Sequence, residues 1–191
     1  MQLWDGAMGS QLKDQVIQAA GLMCVSARTA PKTRGLDDLE ILVISDESDL
    51  RRLADEMEGM GSELGMAFFQ RDAENVRQSD AVLLIGVKSS KPKELNCGGC
   101  GYPTCEEFRK ARRMSGKPYH GPSCAFQLID LGIAVGSAVK TASLLNIDNR
   151  IMYSVGAAAL RVGFLRESDI ALGVPLSAYG KSIYFDRRPR A

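Results

Sequence analysis

The 191-residue chain lacks most of the features that would assign a function at once. It has no surplus of charge, with 24 Lys and Arg against 23 Asp and Glu. A balance this even leaves no whole-chain electrostatic footprint for nucleic acid or an acidic membrane. Its one basic run of note, Arg187-Arg188-Pro189-Arg190, is short enough to read as solvated tail. The opening MQLWDGAMGS has neither the basic start nor the apolar stretch of a signal peptide. The longest apolar run, 128–139, is broken by Asp130, Gly132, Gly136 and Ser137 and reads as no membrane span. KSSKPKELN lacks P-loop spacing, no GxGxxG follows a strand, and no nucleophile elbow or metal-carboxylate spacing is present. Lone acids such as Asp72, Glu74 and Asp148 read as structural partners of arginines. These absences point to a cytoplasmic protein with no nucleic-acid or membrane partner, in which thiols stay reduced.

What the chain does have is a concentration of cysteine. Four of its five cysteines, Cys97, Cys100, Cys105 and Cys124, follow the spacing C-x2-C-x4-C-x18-C. In a reducing compartment such a cluster serves metal or redox chemistry rather than disulfides. Four thiolates, with His120 the only imidazole in the chain, fit either tetrahedral zinc or an iron–sulfur cluster. A zinc ribbon usually pairs two tight CxxC turns, and the second is missing. Gly98, Gly99 and Gly101 let the backbone wrap a bulky cluster and offer N–H groups to its sulfides. On these residues alone zinc, and cysteines that hold no metal, remain open. His120 reads as a surface residue or a support to a ligand, and Cys24 as a small buried hydrophobe.

Elsewhere the pattern is that of a layered α+β domain over residues 10–191, preceded by an uninformative leader at 1–9. DGAMGSQL in that region is similar to a strand-end motif of homocysteine methyltransferase barrels, but 191 residues cannot hold such a barrel, and GAMGS also has the look of a cloning remnant. Ser10 is placed to cap a helix running to about residue 27. Strands are expected at 39–45 (LEILVIS), 81–88 and 169–176, with a short fourth in the closing GKSIYFDRR. Asp46 or Ser48 caps a second helix that glycines 59, 61 and 65 should end near residue 58. Further helices are expected at about 67–78, 124–145 and 149–164. Apolar periodicity disappears over 89–124, which reads as a cysteine-rich insert. The expected architecture is a central mixed or antiparallel sheet with helices packed on it.

NCGGCGYPTCEEF resembles the four-cysteine cluster domains of Rnf-type electron-transport subunits and of the corrinoid iron–sulfur protein, with Thr104 and Phe108 in place. That resemblance implies that Cys97, Cys100, Cys105 and Cys124 ligate one [4Fe–4S] cluster. Over nearly its whole length the chain resembles a family of uncharacterised ferredoxin-domain-containing proteins of anaerobic bacteria and archaea. SARTAPKTRGLDDL, FFQRDAENVRQSDAVLLIGV and GVPLSAYGKSIYFDRR are among the matching stretches.

Outside the insert, SARTAPKTRG leading into LEILVIS, and the Ala-rich LIDLGIAVGSAVKTASLLNID, are similar to nitroreductase-type flavoproteins. This implies a nitroreductase-like scaffold, FMN as a second cofactor, and an intertwined homodimer with the Gly- and Ala-rich helix around 132–142 at its interface. Arg28, Lys32, Arg34, Lys181 and Arg187 are the cations available to the flavin phosphate. The arginine-rich motif expected before the first helix is absent, since MQLWDGAMGS contains no Arg. The expected function is an iron–sulfur redox protein passing electrons to or from a bound flavin, either as a carrier or as a flavin-dependent oxidoreductase. The alternative is a zinc-binding or redox-sensing regulatory module without enzymatic activity. The redox partner is not specified by these residues.

Overall fold

The computed structural model describes residues 5–185, with side chains from residue 11 onward. In chain order the elements are α1 (Asp5–Thr29), β1 (Leu39–Ile44), α2 (Glu47–Leu64), α3 (Phe68–Arg77), β2 (Ala81–Val87), α4 (Cys105–Lys110), β3 (Met114–Ser115), β4 (His120–Gly121), α5 (Ala125–Leu144), β5 (Asp148–Asn149), α6 (Tyr153–Val162) and β6 (Ile170–Ser177). The main sheet has the order β1-β2-β6-β5, and every pairing in it is antiparallel. β3 and β4 form a separate two-stranded hairpin.

All seven residues of β2 are buried because helices cover both faces of the sheet. A strand so placed reads as a continuous apolar run, AVLLIGV, rather than an alternating one. Alternation instead sorts its side chains between two cores. Leu83 and Ile85 join Val16, Met23, Leu131 and Val135 under α1 and α5. Val82 and Leu84 join Leu53, Met57, Phe69 and Val155 under α2, α3 and α6. Burial of each large side chain of this kind contributes about 1.5–3 kcal/mol.

α6 lies directly on β6. A Cβ on Gly156 would stand 2.0 Å from the carbonyl oxygen of Ala171, and one on Gly173 would stand 2.1 Å from Val155 Cγ1. α5 is the one helix among the described residues long and apolar enough to cross a membrane. It packs on α1, β2 and β6, and turns Leu128, Ile129, Ile133 and Leu144 outward.

Several sequence expectations need correction. α1 begins before Ser10, at Asp5. α2 passes through Gly59 and Gly61 and stops only at Gly65, whose φ of +67° ends it in the left-handed conformation. Gly61 is there for packing, since a Cβ would come within 2.9 Å of Phe69 Cβ. The fourth strand is β5, and residues 181–185 form none. That segment docks by side chains instead: Tyr184 is buried with its hydroxyl 3.1 Å from Ser79 Oγ, and Asn75 Nδ2 donates to Ile183 O. The remainder of the proposed strand, 186–188, lies outside the described residues. α6 starts at Tyr153, later than expected, because 148–149 are spent on β5.

The cysteine-rich insert leaves the sheet after β2 and returns at the head of α5. Its two ends are tied together. Cys124 N donates to Ser89 O at 2.8 Å, and the hydroxyls of Ser89 and Ser123 are 3.0 Å apart.

Candidate metal centre

The insert brings its four cysteines to one place. Cys97, Cys100, Cys105 and Cys124 all line one small cavity, together with Leu95, Asn96, Tyr102 and Phe126. All are thiols without a disulfide partner. Cys105 and Cys124 are buried, whereas Cys97 is exposed. Among the described residues no three His, Cys, Asp or Glu side chains close round a point suited to a single metal ion.

The local sequence sets this geometry. Asn96 has a left-handed φ of 48°, as do Gly98 (φ 72°) and Gly101 (φ 88°), so the chain reverses repeatedly within six residues. Asn is one of the few residues that tolerates this conformation. Asn96 also locks the loop to α4, since its Oδ1 accepts from Cys105 N at 2.8 Å. In return Asn96 N donates to Cys105 Sγ at 3.4 Å. N–H bonds of this kind tune the electronics of a ligating sulfur. Thr104 is the N-cap of α4, its hydroxyl accepting from Glu107 N at 3.2 Å. Phe108 is buried and meets Tyr102 edge-on, with ring centroids 5.9 Å apart. The four-thiol donor set, the largely apolar lining and the left-handed Gly98 at the cavity wall fit a cluster of several metal atoms.

Lys93 also lines this cavity and is almost fully buried. Its ammonium donates to Leu36 O at 2.8 Å and Asp38 Oδ2 at 2.9 Å, and pairs with Asp130 Oδ2 at 3.0 Å. Gln127 Nε2 donates to the same Asp38 oxygen, and Lys91 to the other. Asp130 accepts from the backbone and hydroxyl of Thr33. Burial alone would raise the Asp38 carboxyl, but the bonds from Lys91, Lys93 and Gln127 and the Lys93 charge prevail and hold it at about 2. Burial alone would lower Lys93, and its two carboxylate partners raise it instead.

Of the five cations expected near a flavin phosphate, Arg28 is in the last turn of α1 and Lys32 and Arg34 are on the loop after it, with different partners. Arg28 pairs with Asp37 at 2.8 Å and donates to Leu39 O. Lys32 spends its ammonium on the carbonyls of Ala27, Arg28 and Ala30, tying down the end of α1. Arg34, at a φ of 59°, donates to Lys93 O. Lys181 is exposed on the segment after β6, and Arg187 lies outside the described residues. Cys24 stands apart on α1, where burial pushes its thiol up against the weaker pull of Arg28. His120 is exposed on β4. Asp72 pairs with Arg71 at 2.7 Å and accepts from the Ser154 hydroxyl, as a structural acid does.

Sequence reasoning missed Lys93, Asp38, Gln127 and Asn96. One signal was available: Asp130 interrupts an apolar helix, and an acid there needs a buried partner.

Comparison with known proteins agrees with this geometry. Residues 120–187 match the family described as an uncharacterized protein containing a ferredoxin domain, and residues 94–114 match the family described as "Putative Fe-S cluster". A protein of Archaeoglobus fulgidus, described only as uncharacterized, is 51% identical over 172 residues, which cover 90% of this chain and 91% of the relative. Among solved structures, a nitroreductase with bound FMN from Desulfitobacterium hafniense aligns at a TM-score of 0.55 and 17% identity, over 93% of this chain and 82% of its own. An FMN-dependent nitroreductase from Clostridium difficile aligns at 0.54 and 12%, over 86% and 76%. At such identities the likeness is one of fold, and the fold is that of the nitroreductases. The cysteine motif, its convergence on one cavity and the near-full-length relative together place the chain in the family of proteins containing a ferredoxin domain.

Proposed function

We propose that Cys97, Cys100, Cys105 and Cys124 hold a single [4Fe–4S] cluster, and that the protein is a redox protein that also binds FMN as a homodimer. The observation that carries the reading is the convergence of all four cysteines on one cavity. Four thiols on one cavity, with no second CxxC turn in the chain, suit a polynuclear cluster better than a lone zinc ion. The cluster supplies one-electron exchange, and a flavin interconverts one- and two-electron steps.

The protein's own residues have distinct parts. Cys105 and Cys124 keep one side of the cavity dry, and Asn96 steadies the Cys105 sulfur by an N–H bond. The exposed Cys97 marks the side from which electrons are exchanged. Arg28, Arg34, Lys181 and Arg187 supply charge for the flavin phosphate, while Lys32 holds the loop in shape. FMN is supported by the FMN-bound relative of the same fold. The homodimer is supported by the apolar outer face of α5, where Ile129 and Ile133 flank Gly132, and by Leu22 and Val25 exposed on α1.

The test is the ultraviolet–visible spectrum of anaerobically prepared protein, with metal and flavin analysis. About four iron atoms per chain with a broad violet absorption, and FMN released by acid, are expected. Stoichiometric zinc in a colourless protein overturns the cluster, and an absence of released or rebinding flavin overturns the FMN site.

A further inference from the structure

Charge is distributed unevenly along a chain that is nearly neutral overall. Between Glu107 and Asp130 there is no acidic residue, whereas Arg109, Lys110, Arg112, Arg113 and Lys117 all fall there. The other 19 Lys and Arg of the chain face all 23 of its acids. All five cations are exposed. They occupy α4, the link from it to β3 and the turn of the β3–β4 hairpin, between the cavity-lining Cys105 and Cys124.

Part of this charge is neutralised from neighbouring elements. Arg109 pairs with Glu94 and Lys110 with Glu106. Arg113 donates to the carbonyls of His120 and Pro122, with Asp169 3.8 Å away. Glu107 stands exposed at the start of α4. Arg112 and Lys117 have no partner among the described residues. Between them in sequence, at the start of β3, Met114 is 72% exposed. An exposed apolar side chain among unpaired cations is a poor arrangement for a surface that meets only water, and a suitable one for a protein interface.

We propose that this hairpin is a docking surface for an acidic electron-carrier protein. The purpose rests on the iron–sulfur reading above, because α4, which carries Arg109 and Lys110, begins at the cavity-lining Cys105. The charge pattern itself does not rest on that reading. An interface of this kind gains its encounter rate from charge complementarity and needs little area. Single-stranded nucleic acid is the less suited occupant, since it needs exposed aromatic platforms. The hairpin's only aromatic besides His120, Tyr119, is turned inward and donates its hydroxyl to Ala171 O at 2.6 Å.

The test is binding of the full-length, anaerobically prepared protein to three probes: an acidic bacterial ferredoxin, a basic c-type cytochrome and a single-stranded oligonucleotide. The ferredoxin should bind, and the cytochrome should not. Its affinity should fall at least about tenfold in the Arg112→Glu/Lys117→Glu variant and again as salt rises from about 0.05 to about 0.5 M. Met114→Asp should weaken it while circular dichroism stays unchanged. Equal binding by wild type and both variants, or tighter binding of the oligonucleotide through the same cations, overturns the proposal. Iron content is read separately. A protein without iron that still binds ferredoxin through Arg112 and Lys117 keeps the docking surface and loses only the cluster.

Discussion

Lys93 Nζ lies 3.0 Å from Asp130 Oδ2, and the two side chains are only 2% and 3% exposed. This pair joins the first segment of the insert to the first turns of α5. Through Thr33 and Leu36 it also reaches the loop that carries Lys32 and Arg34. A buried pair is weak evidence of net stability, because desolvation offsets most of its attraction. Breaking it is another matter.

Lys93→Met leaves the buried Asp130 and the partly buried Asp38 beside each other without their shared cation. The expected cost is about 3–5 kcal/mol, read as a lower urea midpoint. Lys91→Met, whose ammonium is exposed, should cost under about 1 kcal/mol in the same assay.

Asp38 gives the acid limb of the stability profile. Its folded carboxyl is held at about 2, below the unfolded value of about 3.9. Its contribution is therefore complete above about pH 4 and is lost as pH falls toward about 2. Lys93, raised in the fold, contributes fully below its unfolded value near 10.4 and loses that contribution only as pH rises past it. Urea midpoints of wild type should fall steeply below about pH 4, and those of Asp38→Asn less steeply.

Ligand assignment is tested by substitution. Cys105→Ser and Cys124→Ser should each lose iron, whereas Cys24→Ser, outside the cavity, should retain it. Asn96→Ala removes both the left-handed preference and the side-chain bond to Cys105 N, so its bound iron should be released faster in air than that of wild type. Equal iron loss in Cys24→Ser and Cys105→Ser would refute the ligand set.

Two glycines separate fold from assembly. Gly156→Ala drives a methyl into the Ala171 carbonyl and should destabilise by roughly 1–3 kcal/mol or more. Gly136 on α5 has open space around its Cβ position, so Gly136→Ala should be neutral or mildly stabilising to the folded chain. Ile133→Asp on the same outward face should leave the fold intact and shift the protein to monomer by light scattering, with flavin content falling in step.

Much of this was legible in the sequence because it is local. AVLLIGV announces a covered strand by an unbroken apolar run, LEILVIS and DIALGVPL announce β1 and β6 by their aliphatic content, and the cysteine spacing announces a ligand set. Asp46 as N-cap of α2 was legible too, its carboxylate accepting from Ser48 N at 2.8 Å. What was not legible depends on partners distant in sequence. Lys93 looks like any surface lysine in KPKELN until Asp38 and Asp130 are folded against it. Gly61 looks like a stop signal until Phe69 packs over it. β5, two residues long, exists only because β6 offers it an edge.

The tie between Ser89 and Cys124 has a further consequence. It closes the base of the insert with bonds that involve no thiol and no metal. On the iron–sulfur reading, oxidative loss of the cluster would then slacken the loop without pulling β2 from α5. Such damage would leave the base of the insert tied, which is the condition that repair in place, rather than resynthesis of the chain, requires.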